Sequence, residues 1–408
     1  MILTRGEGLG DRSLSRNSHE GVGSVEERQS KTAELLTGKP EYKASSRMAE
    51  KGEGASIEIN PRVWAGPVAF VADGDCIVAG DGDEIRRWRV KDGKGIGQPM
   101  DAGSVVWSIA ISRDGNWIVS GTSDGQVTVW DAKSHEKANQ FTAHMLQVLA
   151  VDISPDRTRI ATGSSDGTAR VRSLLTGEQL LRSFKHDWYV VAVKFSPNRR
   201  FIATATWERH SVRVYDGRNG RLLVDTSIRV GPPRNQSLAW AGLGNELFAL
   251  SKDGDIHCID VATGTTLSKW AIHSNNNPKC IALASDGAFI AASANSSVSF
   301  WDNATHQQIG PLIHYPESVS CLAISAHHHL VIGGEKQMTL RKLPDILPSS
   351  HFDHVCVLSP KPDTNETLFT TNYLQQQPEV LHTSAGDCRP EQTVSSHRTK
   401  NRRSSKPS

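Results

Sequence analysis

The 408-residue chain lacks most of the features by which sequences announce chemistry. No run approaches the ~20 apolar residues of a membrane span. The opening MILTRGEGLGDR has no continuous apolar stretch of the kind a secretory leader carries. A soluble chain with no membrane partner is therefore expected. The six cysteines (76, 258, 280, 321, 356 and 388) include no Cys-x-x-Cys pair, which removes the common zinc and thiol-redox spacings. An excess of one charge is missing too. Against 46 Lys+Arg stand 44 Asp+Glu, and net +2 exerts no general pull on nucleic acid or anionic lipid. There is no Walker A loop: TGKP at 37–40 has Pro40 where Ser or Thr is needed, and no glycine lies five residues before Gly38. Nor does any segment hold an amphipathic helical period over ten residues.

The two ends are poor in apolar residues. Residues 1–54 carry nine Lys/Arg, nine Asp/Glu and a single aromatic, Tyr42. So little apolar surface cannot offset the entropy of ordering a chain, and a disordered segment is expected. Residues 349–408 read the same way, apart from HFDHVCVL at 351–358, and their basic end SSHRTKNRRSSKPS has five cations and no acid. That end suits an import signal or an RNA contact, or simply a solvated tail. Aromatics are not interleaved with its charges, which weakens the nucleic-acid reading.

What is there lies between, at 55–348. AFVADG from 69, AISRDG from 110, DISPDR from 152, KFSPNR from 194, AWAGLG from 239, ALASDG from 282 and AISAHH from 323 recur at steps of roughly 41 to 45 residues. Each is followed by a second apolar run, a turn that usually holds Gly, and a third run such as QVTVWD or SVSFWD. β-branched runs at even spacing between turn residues read as strands, and Asp-Gly supplies the positive φ of tight hairpins. One four-stranded sheet cannot bury both of its faces. Seven of them around an axis can. The fold class is thus all-β, a seven-bladed propeller with disordered extensions. ASIEIN at 55–60 is the better candidate for the strand that closes the ring, and HFDHVCVL competes for that place. Cys280 and Cys321 both sit in Cys-[Ile/Leu]-Ala triplets, which suits small buried strand residues. Reduced thiols point to a cytoplasmic or nuclear location.

These units resemble WD40 repeats, and in character they are closest to fungal WD-repeat arrays. They are also similar to the WD40 domain of an anaphase-promoting-complex subunit. In that family a His before the first strand, a Ser/Thr in the second, an Asp in the turn and a Trp in the third form a hydrogen-bonded set. The resemblance implies such structural positions at Trp88 in the first unit and at Ser120, Asp124, Trp130 and Asp131 in the second. It implies them at His144, Thr162 and Asp166 in the third and at His186 and Tyr215 in the fourth. In the fifth and sixth it marks Asp253 and Trp301, the latter alongside Ser293. The second unit has Ala102 in place of the His, the third has Arg172 in place of the Trp, and the seventh has lost the signature.

No catalytic constellation emerges. The histidines and aspartates of the repeats recur as structural positions. HHH at 327–329 falls in a hairpin turn without Cys or carboxylates beside it, so no metal is expected. The chain is read as a non-enzyme without a cofactor or small-molecule substrate, and an enzymatic propeller would need a polar axial pocket. Binding residues concentrate on loops held by a rigid scaffold, and interface anchors favour Trp, Tyr and Arg. The loop face offers Trp107, Trp188, Tyr189, Trp207 and Arg209 for proteins or peptides, with Trp207 expected to project. The alternative place for Trp107 and Trp188 is as wedges between blades. VYDGR at 214–218 is similar to the Trp-Asp-x-Arg ending of cullin-type ubiquitin-ligase substrate receptors, with Tyr215 for Trp. That likeness implies an adaptor contact at Arg218.

Overall fold

The computed structural model describes residues 56–59, 65–71, 74–207, 212–231, 236–272, 278–334, 337–349 and 352. They build seven four-stranded antiparallel sheets. The second blade shows the plan: Val106–Ile111, Trp117–Thr122, Gln126–Asp131 and Lys137–Thr142, in that spatial order. The first strands of the others are Ala65–Phe70, Val148–Ile153, Val190–Phe195, Leu238–Ala241, Pro278–Leu283 and Cys321–Ile324. Neighbouring first strands touch all the way round and back to the start, so the chain forms a closed propeller. The only helical element among the described residues is a single 3-10 turn, Leu343–Asp345.

The last blade has only three strands of its own. Its fourth is Ser56–Ile59, which pairs with Met338–Lys342 in the register Ile57↔Leu340 and Ile59↔Met338. The ring is therefore closed by the segment before the first blade, and Ile59 is buried among Val68, Ile77, Val331 and Met338. Of the competing 351–358 stretch only Phe352 is described. It packs edge-on against Phe289, 6.3 Å between ring centres. The remaining residues of the proposed terminal segments lie outside the described residues.

Each blade is also tied to the next through polar groups. Val106 N–H donates to Gly82 O (2.8 Å) and Ser108 Oγ–H to Val148 O (3.0 Å). Asp152 accepts from Phe195 N–H at 2.7 Å, and the Trp240 indole N–H reaches Lys194 O at 3.2 Å. Val319 N–H donates to Asn295 O, and the Cys321 thiol points to Gly66 O at 3.3 Å. Gln236 does most. Its amide grips both backbone groups of Leu322 (2.7 and 2.9 Å) while its own carbonyl accepts from Ile281 N–H, so one residue links blades five, six and seven. Cys280 and Cys321 are buried strand residues, as their triplets suggest.

The repeat signature is realised unevenly, and the register explains how. In blade two Trp130 sits opposite Ile118 and donates its indole N–H to buried Ser120 at 2.9 Å. Asp124 accepts from Thr122 and Gln126, and Asp131 braces the next turn by accepting from Lys133 and Ser134 N–H. Blade three has the fullest set. His144 Nδ1–H donates to Asp166 at 2.9 Å, and the opposite ring nitrogen accepts from Thr162 at 2.7 Å. Burial alone would raise the Asp166 carboxyl, but hydrogen bonds from His144 and Thr168 outweigh it and hold the group near a pKa of about 2. Arg172, at the Trp place, lies over the Phe141 ring and donates to Gly177 O. In blade four Tyr215 stacks on Phe184 at 4.1 Å and its hydroxyl meets His186 Nε2, which also faces Thr204. Trp88 is a buried ring in blade one.

Two expectations fail. Asp253 makes no buried link. It is 64 % exposed and pairs with Lys252, because no His stands in the lead-in to blade five to draw it inward. Trp301 does not use Ser293. The register Ile290↔Trp301 puts Ala292 where Ser120 stands in blade two, and Ser293 falls on the opposite face of the strand, against Cys280. Trp301 turns instead to Ser299 on its own strand, at 2.8 Å.

Candidate interaction face

In an antiparallel blade the first strand begins where the second ends. Residues 105, 145 and 188–189, just before first strands, and 207, just after a second strand, therefore share one end of the propeller. There the sequence-predicted aromatics come together. Trp188 stacks on Tyr189 with ring centres 5.3 Å apart, and Tyr189 leans on Trp207 at 6.1 Å. Trp207 N–H donates to Tyr189 O, and Val230 bridges Trp207 to Ser251 as the chain crosses to the fifth blade. Tyr189, Trp207 and Trp107 all pack against one apolar cluster that includes Leu149 and Val191.

Two positions differ from expectation. Trp107 is not on a loop: it lies in strand Val106–Ile111, half-buried, in the wall of the axial cavity. Trp207 does not project: it is half-buried beside Tyr189, because the apolar cluster beneath takes one side of its ring. Arg209 lies outside the described residues.

The sequence reading missed Met145, which is 87 % exposed at the same end, and Val105, which is 42 % exposed. The signal was present in AHMLQV: a large apolar residue directly after His144, where the chain turns through solvent before the strand begins. An exposed Leu, Val or Met is ordinary when single. Here two of them lie on consecutive blades at the end that carries the aromatic stack.

Below this face the axial cavity holds about 370 Å³. Its wall is mainly apolar, with Trp107, Ile109, Leu238 and Leu283, and carries one ion pair, Lys194 Nζ to Asp152 at 3.5 Å. Burial pushes the Asp152 carboxyl up, against the pull of Lys194 and Phe195 N–H. The same carboxylate is thus the tie between blades three and four.

The reactive groups are arranged as structural ones. Burial pushes His144 below its ordinary value, and burial together with the Arg213 charge takes His186 down to about 3, so both rings are neutral hydrogen-bonding groups inside blades. Burial, with Glu246 beside it, pushes the Cys258 thiol up to about 11, far from a reactive thiolate. Among the described residues no three His, Cys, Asp or Glu side chains gather as a metal site, and no helix is long and apolar enough to cross a membrane. His327 and His328 occupy the first-to-second strand turn of the last blade, His328 with φ of +58°.

A family model, "WD domain, G-beta repeat", matches residues 99–131, 136–173, 178–216 and 264–302. Each match starts near the outer strand of one blade and ends on the third strand of the next, so the repeat is offset from the blade by one strand. The matched third strands are those ending Trp130–Asp131, Arg172–Ser173, Tyr215–Asp216 and Trp301–Asp302. Blades one, five and seven are built on the same plan without a match of their own. The search of curated proteins finds no match.

Proposed function

We propose that this WD-repeat protein, a closed seven-bladed propeller, is a non-catalytic scaffold that binds proteins or peptides through the end carrying Trp188, Tyr189 and Trp207. The observation that carries the reading is the aromatic stack at the lead-in to blade four, with exposed Met145 on the neighbouring blade three and exposed Val105 on blade two at the same end. Rigid aromatic rings give large contact area at low entropic cost, and a packed strand framework holds them in place. The interior gives no competing chemistry, since its titratable groups brace a blade internally, as His144 and Asp166 do, or fasten one blade to the next, as Asp152 does. A cytoplasmic or nuclear location accords with the buried cysteines Cys258, Cys280 and Cys321, which form no disulfide among the described residues.

Met145→Asp and Val105→Asp test this without touching the core. The full chain, wild type and double variant, serves as bait in parallel purifications, and each recovered protein is then purified and titrated directly. The expected result is a partner that binds wild type and loses most of its affinity for the variant, with the melting temperature unchanged. Equal affinity for both, across all recovered proteins, would remove this face from consideration.

A further inference from the structure

The opposite end of the same blade is different in kind. There the turn between first and second strands carries Arg199 and Arg200, and the turn between third and fourth carries Arg218 and Arg221. All four are exposed. The two turns touch backbone to backbone where Gly217 N–H donates to Arg200 O at 2.7 Å, and the second turn is closed on itself by Asp216 N–H to Arg221 O at 2.8 Å. Arg159 of the third blade donates to Gly217 O and pins the second turn from the side. None of the four arginines forms an ion pair with another described residue. The neighbouring Arg157 does so, with Asp114. The nearest acid on these turns, Asp216, is spent internally, accepting from the backbone N–H groups of Arg218 (2.8 Å) and Asn219 (3.1 Å). The result is a concentration of guanidinium groups on a braced platform.

Beside it stands an apolar residue with no cover. Leu243, 75 % exposed, lies in the corresponding turn of blade five. That turn meets the arginine turn directly, through Asn198 Nδ2–H to Gly244 O at 3.3 Å.

We propose that this end of blade four is a second docking site, which takes an acidic peptide segment bearing an apolar side chain next to its carboxylate or phosphate groups. Guanidinium forks bind both anions bidentately, and the segment's apolar side chain covers Leu243. Peptide is favoured over nucleic acid by two observations. The propeller's aromatic stack is at the other end, and Leu243 offers a base no ring to stack on. The site is independent of the aromatic face, since it stands on residues at the far ends of the same strands. It also differs from a single adaptor-contacting Arg218, because it rests on four charges and a leucine.

The test is fluorescence anisotropy on the full chain with three labelled probes: a short glutamate-rich peptide carrying one leucine, its phosphoserine counterpart, and a single-stranded DNA of equal charge. Wild type is compared with Arg199→Glu/Arg218→Glu, with Leu243→Ala, and with the charge-matched control Arg113→Glu/Lys133→Glu at the same end of blade two. Binding of either peptide with an affinity that falls about tenfold or more in the blade-four variant, and about twofold or less in the control, is expected. Leu243→Ala is expected to weaken binding about threefold or more. Melting curves of all variants should coincide with wild type, since every altered side chain is exposed. Three outcomes would each overturn the proposal: neither peptide binds, the control loses as much as the blade-four variant, or DNA binds as tightly through the same arginines.

Discussion

Ring closure by Ser56–Ile59 makes a sharp quantitative demand. Ile59 is 3 % exposed and packs where the last blade meets the first. Replacing it with Ala removes apolar volume worth ~0.8 kcal/mol per methylene and leaves a cavity whose wall cannot fully collapse. The expected loss is about 2–4 kcal/mol. Ile57 is less buried, but it presses on Gly93, where even a Cβ would stand 2.5 Å from its methyl. Removing the whole strand also strips the hydrogen bonds from the outer edge of Met338–Lys342. The combined loss, roughly 5 kcal/mol or more, is comparable with the ~5–15 kcal/mol that holds a domain together. Urea titration followed by tryptophan fluorescence reads both. Ile59→Ala should lower the midpoint, and a chain starting after residue 60 should unfold in little urea or fail to fold. A chain ending after residue 354 should match wild type. If Ile59→Ala costs under about 0.5 kcal/mol while the C-terminal truncation is destabilising, the ring is closed by the other end, and the assignment of the last blade is wrong.

The indole acceptors give a second test. Thr128 in blade two occupies the place that Ser299 holds in blade six, but Trp130 has chosen Ser120, and the Thr128 hydroxyl is buried without a partner. Thr128→Val should therefore be neutral or stabilising by up to about 1 kcal/mol, whereas Ser299→Ala should cost about 1 kcal/mol by stranding the Trp301 N–H. Urea midpoints of equal sign for the two would contradict the register argument. The third concerns acid. His186 is held at about 3 by burial and by Arg213, so its native ring is neutral. The stability this gives is complete above the unfolded value of ~6.5 and is lost as pH falls toward 3, at no more than about 1.4 kcal/mol per pH unit, less for its partial exposure. Unfolding midpoints of wild type and His186→Gln between those limits should converge as pH drops. Parallel lines would show that the ring does not titrate as the structure requires.

The period and the strand pattern were legible because they are written in local chemistry. Alternating β-branched residues and Gly at positive φ recur whatever the neighbours do. Gly125, with φ of +85°, shows the strength of such a signal: a Cβ there would lie 2.2 Å from His144 O. Closure was not legible to the same degree. ASIEIN and HFDHVCVL are both short apolar runs, and what separates them is a cross-strand register that no local window contains. The Trp301 error has the same origin. Ser293 is only one residue away from the acceptor place, but in a strand one residue is the other face. Trp207 was misplaced because a lengthened turn was read as a projecting one, without the apolar cluster beneath that takes half of its ring. Met145 was passed over because a single exposed methionine carries no pattern. It gains meaning only when the fold sets it beside Trp188 and Tyr189.

These differences bear on how the molecule divides its labour. Its inward-facing polar residues are used between blades as much as within them: Asp152 on blade four, Gln236 on blade seven, Cys321 on blade one. A propeller fastened this way can lose individual members of the repeat set, as blades five and seven have, because each blade is also tied to its neighbours. Blade four keeps its His186, Thr204 and Tyr215 contacts and carries different surfaces at its two ends. At one end are stacked aromatic rings. At the other are four arginines on turns locked by Gly217 and Arg159. The strand Phe201–Thr206 runs from Arg200 of one set to Trp207 of the other. At ~3.3 Å per residue the two sites are therefore about 23 Å apart. Apolar and anionic ligands would be held at opposite ends of one rigid sheet, so occupancy of one site leaves the other sterically open.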